Sequence, residues 1–156
     1  MIDYVKLAHL VAGIVWMGGM AFMLIALRPA ATATLQLPER MLLIGAVYRR
    51  FFPLVIASIV VLFGTGTNLY TTTFRAIKAA SGQGSVPTGW NIMLVLGLLM
   101  MLIFGHIFFA GYRKLKRALL VQDWPLASQP AAQIHTLMMV NFVLGWLALF
   151  AVRLVR

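Results

Sequence analysis

The sequence predicts an all-α integral membrane protein, an antiparallel bundle of four transmembrane helices in a single domain covering residues 1–156. Hydrophobic residues make up 62% of the chain and charged residues only 10%, whereas about a quarter of the residues in soluble domains are charged. The mean hydropathy is +0.94, and the apolar residues form four runs long enough to cross a hydrocarbon layer of about 30 Å. The predicted spans are about 5–27, 51–71, 91–112 and 134–153.

The first span, residues 5–27, contains only two ionisable side chains, Lys6 and His9, both near its start. On a helical period His9, Gly13 and Met20 lie on one stripe. An ionisable side chain inside a membrane usually faces the bundle or a cavity, because facing lipid is costly. The stripe is therefore predicted to be the inner face of the helix, with Gly13 leaving room for a flat or bulky ligand.

The connections are predicted from their proline, glycine and charged residues. Arg28 and Pro29 are expected to end the first helix and begin a polar connection. Pro38 and Glu39 fit the first turn of the second helix, because proline is tolerated there and an acid complements the helix dipole. Residues 81–89 are rich in glycine, serine and proline and are predicted to be a loop.

The second half of the chain contains a basic cluster at 113–117 and an Asp-Trp-Pro sequence at 123–125. The basic cluster is expected to stop in the lipid headgroups, and the Asp-Trp-Pro sequence to break the third helix. Ser128 or Gln129 is predicted to cap the fourth helix, with Pro130 in its first turn.

The basic residues predict the orientation of the chain in the membrane. The connections between helices 1 and 2 and between helices 3 and 4 hold eight Lys and Arg residues: Arg28, Arg40, Arg49, Arg50, Arg113, Lys114, Lys116 and Arg117. The opposite side holds five: Lys6, Arg75, Lys78, Arg153 and Arg156. The positive-inside rule puts the larger group in the cytoplasm, so both termini are predicted on the outer side of a bacterial cytoplasmic membrane. The net charge of +10 is interpreted as attraction to the lipid bilayer rather than to nucleic acid.

Several classes of site are excluded by composition. The chain has no cysteine and only three acids, Asp3, Glu39 and Asp123. Thiolate metal sites, iron–sulfur clusters and paired-carboxylate catalysis are therefore excluded, and no catalytic residue is identified.

The three histidines are the candidate cofactor ligands. Measured from the span midpoints, His9 and His106 differ in depth by roughly 18 Å, whereas His106 and His135 differ by about 5 Å at 1.5 Å per residue. His106 and His135 lie on consecutive helices, so they are predicted to ligate one haem b between them. The rival arrangement has His9 ligating a haem on the outer side. Three arginines are expected near the level of the pair, where they would bind haem propionates: Arg28, Arg49 and Arg50.

Simpler roles remain open for the same residues. A membrane histidine is often only a hydrogen-bonding residue, and Thr65, Thr67 and Asn141 are interpreted as interhelical hydrogen-bonders. Methionines such as Met20 usually fill gaps in the core, although with histidines such as His9, His106 and His135 they also suit a copper site.

Short motifs along most of the chain resemble the CopD-like membrane domains. They are KLAHLVAGIVWMGGMAF at 6–22, RRFFPLVIASIVVLFGTG at 49–66, the Gly-His pair at 105–106, and VNFVLGWLALF at 140–150. The chain is also distantly similar to HemJ-type protoporphyrinogen oxidases, which share the first-span histidine. The CopD resemblance implies copper uptake or resistance, and the HemJ resemblance implies b-type haem binding. Both point to His9 first and to His106 second.

The third span contains no lysine, a departure from the HemJ pattern that counts against a HemJ-like oxidase activity while leaving membrane oxidoreductase activity open. The sequence therefore predicts a membrane protein that holds haem b and passes electrons to or from quinone, a small oxidant or a redox partner protein. A copper-binding or copper-uptake protein is the first alternative, and an assembly subunit without chemistry of its own is the second. Formation of oligomers is compatible with all three.

Overall fold

Four long helices make up the structure, a computed structural model that describes residues 2–82 and 85–155. They are α1 (Ile2–Thr34), α2 (Leu37–Ser81), α3 (Thr88–Leu120) and α4 (Trp124–Leu154). Each is long and apolar enough to cross a membrane, and the described residues contain no strand. The chain is an all-α integral membrane protein built as a four-helix bundle, which confirms the predicted fold class.

The first helix does not end where the sequence indicated. It runs through Arg28 and Pro29 to Thr34, so the predicted end was wrong. The turns over Phe22–Leu27 widen to a π-helix, and the Arg28 N–H donates to the Met23 carbonyl five residues earlier. Proline has no N–H for the usual bond, and a local π turn accommodates such an interruption without ending the helix.

The second helix begins as predicted. Glu39 accepts a hydrogen bond from the Gln36 N–H at 3.3 Å, and the Gln36 side chain accepts from the Glu39 N–H, which completes a capping box. Pro38 lies in the first turn. The 45 residues of α2 extend for about 68 Å at 1.5 Å per residue. This length is about twice the hydrocarbon layer, so α2 continues beyond the membrane.

The predicted loop over residues 81–89 is shorter than expected. Ser81 is the last residue of α2, and Gly82 ends the helix in the left-handed conformation with φ of 69°. Residues 85–87 are not helical, whereas Thr88 and Gly89 already belong to α3. Positions 83 and 84 lie outside the described residues.

The fourth helix starts earlier than predicted. Asp123 caps it, with Oδ1 accepting from the Leu126 N–H at 2.9 Å. The predicted caps at Ser128 and Gln129 were therefore wrong, and Pro130 lies inside the helix. Aspartate is a strong N-cap, and the proline at position 125 occupies the first turn, where its missing N–H costs nothing.

Buried aromatic side chains hold the helices in register. Phe52 of α2 stacks on Tyr48 at 4.9 Å between ring centroids and meets Tyr112 and Phe104 of α3 edge-on at 4.9 and 5.6 Å. Phe104 also contacts Trp16 of α1 edge-on at 6.3 Å.

We call the end of the bundle with the α1–α2 and α3–α4 connections the basic end. The other end, with both chain termini, is the terminal end.

Candidate histidine sites

His9 forms a hydrogen bond with α2 near the terminal end. Its Nδ1 lies 2.8 Å from the hydroxyl oxygen of Thr65. That hydroxyl donates its single proton to the Val61 carbonyl one turn earlier in α2. Thr65 must then accept from His9, so Nδ1 carries the imidazole proton and Nε2 keeps a lone pair. Within the described part of the chain, Nε2 has no hydrogen-bond partner.

Two glycines shape the surroundings of His9. A Cβ at Gly66 would lie 3.3 Å from His9 Cε1, so the ring packs closely on α2 because residue 66 has no side chain. A Cβ at Gly13, one turn along α1, would meet nothing within 4 Å. His9 and Gly13 are both half-buried. An imidazole with an available lone pair thus lies on the same helix face as open space.

Met20 lies in the core, away from His9. It is 2% exposed and lines a cavity of about 10 Å³ together with Trp16 and Asn141. No histidine lines this cavity, and the eleven-residue separation from His9 corresponds to about 16 Å along α1. Among the described residues no cluster of three or more His, Cys, Asp or Glu side chains could hold a metal ion. The histidine–methionine copper site stays a prediction without a shared site to support it.

His106 is exposed on the outside of α3, immediately before the second π-helical segment, Ile107–Tyr112. Among the described residues its single hydrogen-bonding contact is a long one, 3.5 Å between its Nε2 and the Nε2 of Gln133 in α4. A glutamine Nε2 can only donate, so His106 Nε2 is the acceptor in this contact.

His135 lies on a different side of α4. It lines a groove of about 380 Å³ together with residues of α1, among them Leu24 and Arg28. Gln133 and His135 are two residues apart, so they point about 200° apart around the helix. The contact with His106 and the groove are therefore nearly opposite each other on α4. Joint ligation of one haem by His106 and His135 is not supported by this arrangement and stays a prediction.

Of the three predicted propionate ligands, only Arg28 lies beside a histidine in a groove. Its Nη1 donates to the Ala131 carbonyl of α4 at 2.9 Å. Arg49 and Arg50 are exposed, and Arg50 bonds back to the Ala46 carbonyl of its own helix at 3.4 Å. Arg28 and His135 therefore line the same groove across the α1–α4 interface.

Sequence reasoning recognised Thr65 as an interhelical hydrogen-bonder but not as the partner of His9. Asn141 is also confirmed as interhelical, because its Nδ2 donates to the Met100 carbonyl of α3 at 3.2 Å. The prediction of an interhelical hydrogen bond was wrong for Thr67, since its hydroxyl donates to the Phe63 carbonyl of its own helix. Gly66, directly after Thr65, is the sequence signal for the close approach to His9, because a residue without a side chain permits it.

No protein-family model matches the chain, and comparisons with curated proteins and with solved structures found no match either.

Proposed function

We propose that this protein binds haem b in a bacterial cytoplasmic membrane and transfers electrons, and that Nε2 of His9 would ligate the haem iron. One observation carries the proposal, namely the hydrogen bond between His9 Nδ1 and Thr65. Histidines that ligate metals usually donate their other ring N–H to a hydrogen-bond acceptor, which fixes the tautomer and makes the ligating nitrogen more basic. Thr65 has that role here.

The surroundings of His9 support a large, flat ligand. Gly13 leaves open space one turn along the same face, and the neighbouring surface of α1 is apolar, with Leu10 and Ile14 exposed. Haem supplies one-electron chemistry when bound. The residues of this chain bind it, orient the imidazole and surround the site with lipid-facing apolar side chains. The resemblance of residues 6–22 to CopD-like and HemJ-type first spans supports the same histidine.

The proposal includes an orientation in the membrane. The antiparallel helices collect the eight basic residues counted above at the basic end, so the positive-inside rule puts this end in the cytoplasm and both termini outside. His9 then lies toward the outer side. Its electron partner in this orientation is quinone in the bilayer or a redox protein on the outer surface.

The first experiment is a reduced-minus-oxidised absorption spectrum of the purified protein, with haem and copper quantified in parallel. We expect haem b in the wild type and its loss in His9→Ala, while membrane insertion is unchanged. Full haem content in His9→Ala would contradict the assignment. Copper without haem would favour the copper-binding alternative. The absence of both haem and copper would favour an assembly subunit.

The hydrogen bond itself is tested with Thr65→Val and the matched control Thr67→Val. Both substitutions remove a hydroxyl that bonds to its own helix, but only Thr65 also contacts His9. Loss of such a supporting hydrogen bond typically lowers affinity 10–100-fold, so we expect weaker haem retention and a shifted reduction potential in Thr65→Val only. Equal behaviour of the two variants would show that the bond does not support a ligand.

The open space is tested with Gly13→Leu and the control Gly18→Leu. Neither position has an atom within 4 Å of an added Cβ, so both variants should insert normally. Gly13 shares a face with His9, whereas Gly18 is nine residues from it and turned well away. Haem loss in Gly13→Leu alone is expected, and wild-type haem in both variants would mean that this face is free of ligand.

A further inference from the structure

The α1–α4 groove at the basic end combines a positive charge with apolar walls. Six residues line its volume of about 380 Å³: Leu24, Arg28, Pro29, Thr32, Ala33 and His135. The groove lies at the end of the long apolar run of α1, which is the level of the lipid headgroups in a membrane-spanning helix.

Arg28 is held in place within this groove. It is half-buried, and its Nη1 donates to the Ala131 carbonyl at 2.9 Å. The buried hydroxyl-bearing side chain of Tyr48 lies close enough to interact with the same guanidinium. A guanidinium has five N–H donors, so donors remain beyond these two interactions.

Within the described part of the chain, no carboxylate forms an ion pair with Arg28. The sequence has three acids, and each is engaged elsewhere. Asp3 pairs with Lys6 at 4.0 Å, Glu39 accepts from the Gln36 N–H, and Asp123 caps α4. The positive charge at the groove is instead increased by Arg40, which acts on Arg28 through space.

A half-buried cation without a counter-charge favours an anion from outside the chain. We propose that this groove binds the phosphodiester of an anionic phospholipid. Arg28 donates to the phosphate oxygens, for which its planar guanidinium is well suited. An acyl chain lies along the apolar wall at Leu24. This site is separate from the haem proposed at His9 and does not depend on it.

The test is native mass spectrometry of the full-length protein in detergent, with phosphatidylglycerol or phosphatidylcholine of identical acyl chains added. We expect phosphatidylglycerol to be retained in preference to phosphatidylcholine. Arg28→Gln should weaken that retention about tenfold, because a charge-assisted hydrogen bond is lost. Arg28→Lys should give an intermediate value, since the charge stays but the planar geometry is lost.

Arg49→Gln is the matched control, because it removes the same charge from an exposed position near the same end. It should retain phosphatidylglycerol like the wild type. If Arg28→Gln fails to fold, Ala33→Phe fills the groove from an exposed position and should also block the lipid.

Three outcomes would overturn the proposal. Equal weakening in Arg49→Gln and Arg28→Gln would show diffuse surface attraction. Displacement of the lipid by millimolar inorganic phosphate would show a site for free anions only. Haem loss in Arg28→Gln with unchanged lipid retention would assign the groove to a haem propionate. The absorption spectrum reports the His9 proposal independently.

Discussion

At the scale of single residues, Thr65 and Thr67 have similar sequence surroundings but different roles. Both hydroxyls donate to a carbonyl four residues earlier in α2. Only Thr65 faces α1, where its oxygen accepts from His9. Two residues along a helix change the direction of a side chain by about 200°, and this difference decides which threonine can fix the tautomer of the imidazole.

The close packing of Gly66 on His9 gives a prediction about the ring position. Gly66→Ala puts a Cβ 3.3 Å from His9 Cε1, so the ring must shift by a few tenths of an ångström. We expect an altered haem spectrum and reduced haem retention in the purified variant. Gly64→Ala is the control, because a Cβ there meets nothing within 4 Å. A wild-type spectrum in both variants would contradict the ligation by His9.

Asn141 gives a prediction about stability. It is 1% exposed, and its Oδ1 has no hydrogen-bond partner in the structure. Asn141→Asp would bury a charge at this position, so we expect a loss of several kcal/mol in the free energy of unfolding. Asn141→Leu removes both the unpaired oxygen and the bond to Met100, so a change within about 1 kcal/mol is expected.

Thermal unfolding in detergent measures the two Asn141 variants. If Asn141→Leu were destabilised as much as Asn141→Asp, Oδ1 would have a partner in the folded protein. The adjacent cavity of about 10 Å³ is about the size that one water molecule needs, so a bound water would then be assigned there.

At the scale of helices, the π-helical segments explain where local reasoning failed. Arg28 and Pro29 have the sequence of a helix end, yet α1 continues because Phe22–Leu27 forms π-type bonds. A π turn inserts about one extra residue, which rotates the following residues by roughly 100° relative to a regular helix. The face of Arg28 is therefore not the face extrapolated from His9.

The contact between α3 and α4 gives a prediction at this scale. A Cβ at Gly89 would collide with the backbone carbonyls of Ala151 and Val155, which cannot rotate away. Gly89→Ala should therefore lower the unfolding temperature in detergent, with a typical cost of about 1–3 kcal/mol.

Gly97→Ala is the control in the same helix, because an added Cβ there meets no atom within 4 Å. We expect a neutral or slightly stabilising effect, since alanine favours helix by about 1 kcal/mol over glycine. Equal unfolding temperatures of the two variants would show that α3 and α4 separate at Gly89 without cost.

At the scale of the whole molecule, the bundle presents an apolar exterior on all four helices. Large hydrophobic side chains such as Leu10, Val60, Leu102 and Phe150 are exposed. Such a surface is stable in lipid and would aggregate in water. Charged side chains are confined to the two ends of the bundle, and the basic end carries the larger share of the Lys and Arg residues.

The orientation of the bundle gives the prediction at this scale. Reporter fusions after residue 155 and within residues 81–89 should report the outer side, and a fusion at Gln122 should report the cytoplasm. The reason is the eight-to-five distribution of basic residues. A cytoplasmic C-terminus would reverse the orientation and place His9 toward the cytoplasm.

Local features of the sequence determined the helices and several of their ends. Four apolar runs predicted four spans, and Pro38 with Glu39 predicted the start of α2, because length, hydropathy and capping depend on neighbouring residues. Tertiary structure alone decided which residues meet. His9 with Thr65, and Arg28 with His135, are separated by 56 and 107 positions in the chain. Their proximity depends on the rotation and axial register of packed helices, which the π-helical segments and the aromatic core around Phe52 set.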